Sequence, residues 1–170
     1  MDLKARIRTI PDFPKPGINF IDITTLLGDG EAWRYCISQL AEIYRDAGVE
    51  VIVGPEARGF LVGAALAYEL GVGFAPVRKQ GKLPWKTRQS TYQLEYGQDT
   101  IEIHLDAVKP GQRVLVVDDL LATGGTVKAA MDLVRQLGGE VMGAAFLVEL
   151  TFLGGRQALA PTEVHSLIQY

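Results

Sequence analysis

The stretch "RVLVVDDLLATGGTV", residues 113–127, runs from an apolar strand through two acids to a glycine turn and a helix. Val114–Val117 are continuously apolar, as in a parallel strand covered on both faces. Val127, Met131, Val134 and Leu137 then recur at helical spacing until Gly138-Gly139 stops them. A strand, a glycine turn and a helix in that order predict one unit of an α/β sheet. In such sheets ligands bind beyond the carboxyl ends of the strands.

Working outward, three more apolar runs read as strands: "VEVIVG" (49–54), "GVGFAPVRK" (71–79) and "EVMGAAFLVEL" (140–150). Between them, Trp33, Ile37, Leu40, Tyr44 and Ala47 mark one helix, and "GFLVGAALAYEL" (59–70) is apolar enough for a buried one. The alternation predicts an α/β fold, a doubly wound, mainly parallel sheet flanked by helices, in a single domain over 1–170. Two segments stand outside it. "IPDFPKPGINFIDITTLL" (10–27), with three prolines, reads as an extended, irregular cover. "KQGKLPWKTRQSTYQLEYGQD" (79–99) is a long polar loop, a functional arm by its length. In "TIEIHLD" (100–106), Ile101, Ile103 and Leu105 alternate with Glu102, His104 and Asp106, which predicts a half-exposed strand.

Composition narrows the function. With a formal charge of −3, duplex nucleic acid, which usually asks for a basic face, is not expected as the main partner, and an anionic ligand must be drawn by local groups. The single Cys36 excludes an internal disulfide and a cysteine-based zinc site, which points to the reducing cytoplasm. "MDLKARIRTI" lacks the apolar segment of a secretory signal, and no run reaches the ~20 apolar residues of a membrane span.

The opening stretch carries the chemistry. A helix N-terminus offers unpaired N–H groups and partial positive charge. Gly124 and Gly125 let the backbone close around an anion, and Thr123 and Thr126 add hydroxyl donors. The spacing fits neither a Walker A loop nor a dinucleotide fingerprint, and suits one terminal phosphate monoester. Asp118 and Asp119 are acceptors only, fit for a vicinal diol one sugar ring from that phosphate. Strand alternation points them to opposite faces, which keeps the two charges apart.

"VLVVDDLLATGGT" resembles the phosphoribosyl-diphosphate motif of the type I phosphoribosyltransferases. "PDFPKPGI" (11–18), "EARGF" (56–60), "RKQGKLP" (78–84), "YQLEYG" (92–97) and "LVEL" (147–150) narrow the resemblance to the members that act on adenine. It covers the chain from about Ile7 to Tyr170. The resemblance implies transfer of ribose 5-phosphate from phosphoribosyl diphosphate to adenine, giving AMP and diphosphate, through an oxocarbenium-like transition state. It also implies a small N-terminal hood at about 7–27, a flexible β arm at about 79–100, and a homodimer.

Carried over residue by residue, Ala122, Thr123, Gly124, Gly125 and Thr126 form the 5′-phosphate cup, and Asp118 and Asp119 hold the ribose. Glu56, Ala57 and Arg58 lie against the diphosphate, with Arg58 as charged donor. One of Arg78, Lys79 and Lys82, which follow the next strand at the same edge, adds a second cation there. Glu95, in "LEYG", exchanges a proton with the adenine imidazole ring as it attacks. Tyr92 and Tyr96 cover the site or pack the arm down. Phe20 stacks on the purine, while backbone at Asn19 or Ile21 reads its edge. Ile21 departs from the family pattern, which often has a basic residue there. Mg²⁺ is expected to arrive with the diphosphate, bound mainly through substrate oxygens without a dedicated protein cage.

Overall fold

The computed structural model describes residues 1–94 and 97–170. Its seven-stranded sheet contains β3 (Val51–Pro55), β4 (Gly73–Lys79), β5 (Thr87–Gln93), β6 (Gln98–His104), β7 (Arg113–Leu121), β8 (Glu140–Glu149) and β9 (Val164–Gln169). Two earlier strands, β1 (Arg8–Ile10) and β2 (Phe20–Asp22), form a separate antiparallel ribbon. In the main sheet the order is β5-β6-β4-β3-β7-β8-β9. The pairs β4–β3, β3–β7, β7–β8 and β8–β9 are parallel, while β6 joins β4, and β5 joins β6, antiparallel.

The order is winding made visible. The chain moves from β3 to β4 on one side, then returns to lay β7 on the other. Their adjoining carboxyl ends form a crevice at a topological switch point. Helices α2 (Gly30–Tyr44) and α3 (Arg58–Leu70) cover one face, and α4 (Gly125–Gln136) covers the other. Ile52, Val114, Leu115, Val116 and Val117 are fully buried, which is why the strands read as unbroken apolar runs.

All four predicted core strands and all three predicted helices are present, with ends displaced by a few residues. The irregular cover at 10–27 is more ordered than expected. It contains β2 and enters the short helix α1 (Thr24–Gly28). Asp22 holds this hood together. Its carboxylate accepts from the Thr24 hydroxyl at 2.7 Å, the Thr24 amide at 3.0 Å and the Arg8 guanidinium at 2.6 Å. These bonds lower its pKa to about 2.

The expectation for 100–106 needs correction. Glu102 was placed on a solvated face, yet it is 2 % exposed. The turn after β4 folds over it. Oε1 accepts from the amides of Gly81 at 3.2 Å and Leu83 at 3.1 Å, and Oε2 from the side chains of Thr87 and Gln89. Burial alone would raise this carboxyl, but the donors hold its pKa below the ordinary value. Residue alternation assigned the face correctly; what covers that face is a tertiary matter.

Candidate functional site

β7 delivers the site. Its apolar residues lock the strand into the sheet, and its end projects Asp118 and Asp119 into the crevice before the chain turns at 122–124 into α4. Gly124 has φ +87°, a left-handed conformation that glycine adopts without steric cost. A Cβ there would also stand 3.1 Å from the Gly155 carbonyl oxygen. No side chain caps α4. Its first-turn amides therefore face a small hollow of about 90 Å³ lined by Asp118, Thr123, Gly124, Gly125, Thr126 and Val127. The helix macrodipole adds partial positive charge at this point.

The Asp118 Oδ1 atom accepts the Asp119 amide at 2.8 Å. Burial raises the pKa of Asp118 well above its ordinary value, and the neighbouring Asp119 charge adds to the rise. Asp119, 3 % exposed, is also raised by burial, in part opposed by Arg58. The start of α3 approaches Asp118 closely. Gly59 lies so near that a Cβ would stand 2.8 Å from Asp118 Oδ1.

Arg58, the first residue of α3, places Nε 3.0 Å from Asp119 Oδ2. That oxygen is buried and has an ion pair but no well-aligned hydrogen bond. A hydroxyl or a hydrated cation would complete it. Arg58 also touches the hood, its guanidinium carbon 5.7 Å from the Phe20 ring centroid. Phe13 meets the same ring edge-to-face at 5.2 Å. The hood residue proposed to stack on a base therefore borders the acids through one arginine.

The other predicted residues divide. The Glu56 carboxylate turns toward β4, accepting the Lys79 amide at 2.7 Å and pairing with Arg78 at 3.3 Å. Its negative charge is thus neutralised away from the crevice, and Glu56-Ala57 offers backbone there. Lys79 is exposed, but its ammonium is paired with Asp99 at 3.1 Å. Lys82 is exposed in the following turn, where its amide bonds the Lys79 carbonyl at 3.2 Å. Ile21 packs into the core at 5 % exposure, so only its backbone remains for a ligand. Asn19 is exposed beside it. Glu95 and Tyr96 lie outside the described residues.

Sequence reading missed three participants. Asp99 and the Tyr92–Thr126 contact belong to a hairpin pairing that no spacing announces. Gly155, which seats the back of the cup, had as its only signal the pair Gly154-Gly155. Two larger hollows, of about 440 and 490 Å³, lie beside Met1 and Tyr35 and contain none of the residues above. Among the described residues, no group of three or more His, Cys, Asp or Glu side chains is placed to hold a metal ion. No described helix is long and apolar enough to cross a membrane.

With this geometry in hand, comparison with known proteins is specific. The profile of the phosphoribosyl transferase domain family matches residues 27–161. The adenine phosphoribosyltransferase of Brevibacillus brevis is 56% identical over 170 residues, covering 100% of both chains. The crystal structure of the adenine phosphoribosyltransferase of Thermoanaerobacter pseudethanolicus superposes with a TM-score of 0.96 at 56% identity, covering 99% of this chain and 98% of that one. That of Saccharomyces cerevisiae, complexed with an imino-altritol bisphosphate and adenine, gives 0.92 at 41% identity, covering 98% and 96%.

Proposed function

The chain belongs to the phosphoribosyltransferase family, among the adenine phosphoribosyltransferases, and from that premise we propose how its residues divide the reaction. The enzyme transfers the 5-phosphoribosyl group of phosphoribosyl diphosphate to adenine, giving AMP and diphosphate, a purine-salvage step. The whole chain acts as one domain, with the hood at 7–27 over the base and the arm at 79–100 over the sugar.

In our reading, Ala122–Thr126 grip the 5′-phosphate through backbone amides and threonine hydroxyls. Asp118 and Asp119 accept the ribose hydroxyls. The C1–oxygen bond to diphosphate breaks with its electron pair leaving on oxygen, and the carboxylates stabilise positive charge developing on the ring. Arg58 leaves Asp119 for the diphosphate as that leaving group gains charge, assisted by Lys79 or Lys82. The adenine nitrogen lone pair forms the new bond to C1, and Glu95 takes a proton from the imidazole ring. Phe20 stacks on the base, and backbone at Asn19 and Ile21 distinguishes the acceptor N1 and donor N6 of adenine. Enclosure by the arm excludes water, which would otherwise capture the cationic sugar.

The donor set fits Mg²⁺ arriving with the substrate. Two adjoining carboxylates, one oxygen lacking a hydrogen bond, suit an ion held mainly by diphosphate oxygens and reached through water. When bound, Mg²⁺ neutralises diphosphate charge. A homodimer in the reducing cytoplasm completes the proposal. Exposed Leu61 and Tyr68 on one side of α3, and the single buried Cys36, support it.

The observation that carries these roles is that one strand end supplies both halves of the site, paired acids and an uncapped glycine-turned helix start. Incubation with phosphoribosyl diphosphate, Mg²⁺ and separate purine bases tests it. Product with adenine alone supports the reading, and turnover only with another base overturns it. Glu95→Gln should slow turnover about 10²–10⁴-fold while leaving phosphoribosyl diphosphate affinity unchanged. A variant at full speed removes Glu95 from the mechanism.

A further inference from the structure

The arm is tied to the phosphate cup by one side chain that the reaction as written does not use. Tyr92 lies on β5, opposite Asp99 across the hairpin. Its ring rests against the cup. A Cβ on Gly125 would stand 3.5 Å from its Cδ2. Its phenolic oxygen accepts the Thr126 hydroxyl at 3.1 Å, while its own proton faces Asp99 Oδ2 at 3.5 Å. Asp99 in turn holds the Lys79 ammonium at 3.1 Å. One polar path thus joins the cup, both strands of the arm and the end of β4. It borders a cavity of about 330 Å³ between Glu56, Lys79 and Thr126.

We propose that Tyr92 is a positioning residue that couples occupancy of the cup to docking of the arm. The inference rests on the reading of 122–126 as the 5′-phosphate site. A hydroxyl has one proton and two lone pairs, so each can donate only once. Thr126 gives its one proton to Tyr92, and Tyr92 in turn reaches only the long contact to Asp99. Phosphate oxygens are acceptors alone. When they take the Thr126 proton, the Thr126 oxygen is left as an acceptor, and Tyr92 turns its proton toward it. Donation to a charged acceptor polarises the threonine oxygen, which strengthens the bond it receives. Tyr92 exchanges a 3.5 Å contact for a shorter, polarised one at the cup. β5 is drawn onto the bound sugar phosphate.

The test is hydrogen–deuterium exchange with ribose 5-phosphate, in wild type and in Tyr92→Phe, which keeps the ring on Gly125 and removes only the hydroxyl. In wild type, ribose 5-phosphate should protect amides of both 123–127 and 87–93. Diphosphate alone should leave 87–93 unchanged. In Tyr92→Phe the cup should stay protected while protection of 87–93 is lost. The KM for phosphoribosyl diphosphate should rise about 3–10-fold, the worth of one hydrogen bond, with KM for adenine and Tm unchanged. A purely structural role would move Tm and spare this split. Equal arm protection in the two proteins overturns the coupling. Arm protection by diphosphate alone overturns it even if the variant does not fold. Absence of cup protection in wild type defeats instead the phosphate-site reading.

Discussion

Replacing Asp118 and Asp119 together by Asn is expected to cut kcat/KM for phosphoribosyl diphosphate roughly 10²–10⁴-fold, as two hydrogen bonds to charged acceptors are weakened. The same change should make the ligand-free protein more stable. Both carboxyls have pKa values raised above their ordinary 3.8, by burial first, so the folded state retains protons that the unfolded chain has released. As pH climbs from 3.8 through the raised values, stability is lost, and at neutral pH and above the full cost of burying charge is felt. Asn carries no such charge. Melting curves of the single Asp118→Asn and the double variant should therefore lie above wild type at pH 8 and converge with it below pH 3.8. Lower Tm at pH 8 together with undiminished turnover would reject both the electrostatic and the ribose-binding role. Such an opposition of activity and stability is what a site built to receive hydroxyl donors would give.

Gly155→Ala should cause the second large effect. Helix α5 (Gly155–Leu159) packs its first residue against the cup so tightly that a Cβ would stand 2.3 Å from the Ala122 carbonyl oxygen and 2.8 Å from Leu121 Cδ1. The helix has no freedom to retreat. Arg156 is fixed to the buried Glu149 by bonds of 3.0 and 2.5 Å and to the Val164 carbonyl at 2.6 Å. The strain therefore falls on residues 121 and 122, at the base of the cup. Overpacking of this kind costs about 1–3 kcal/mol, and each kcal/mol lowers Tm about 2–4 °C in a chain of this size. Displacing the cup by even a fraction of an ångström should weaken phosphoribosyl diphosphate use by roughly 10²-fold. Gly30→Ala, where nothing lies within 4 Å of the added carbon, is the matched control and should change neither quantity. Kinetics and melting of Gly155→Ala that match this control would show that α5 does not brace the cup.

These two cases mark what the amino-acid order discloses. The strand–acid–glycine run at 113–127 disclosed the central strand, its turn and the hollow at its end, because burial, period and glycine freedom are local properties. The period-two rule does not announce that Asp118 Oδ1 turns back onto the Asp119 amide, nor that a Cβ on Gly59 would stand 2.8 Å from that oxygen. β5, "TRQSTYQ", is mostly polar and solvated, so its pattern gave only a polar arm carrying β structure, and its bounds follow from β6 pairing with it along its whole length. Glu102 read as a solvated acid because its donors come from a turn some twenty residues earlier. Glu149, which closes β8, fits the reading of a buried acceptor at a strand end, but its donor Arg156 lies beyond that strand. Each of these depends on contacts between separate elements, and a pattern within one element does not encode them.

The central claim is that residues 122–126 seat a sugar phosphate while Asp118 and Asp119 take its diol, and a crystal structure with bound AMP addresses it most directly. The account predicts phosphate oxygens within 3.2 Å of the amides of 123–126, about the outer limit of an N–H···O bond, with both ribose hydroxyls donating to the two carboxylates. AMP bound with its phosphate at any other strand end, and the amides of 123–126 facing only solvent, would contradict it.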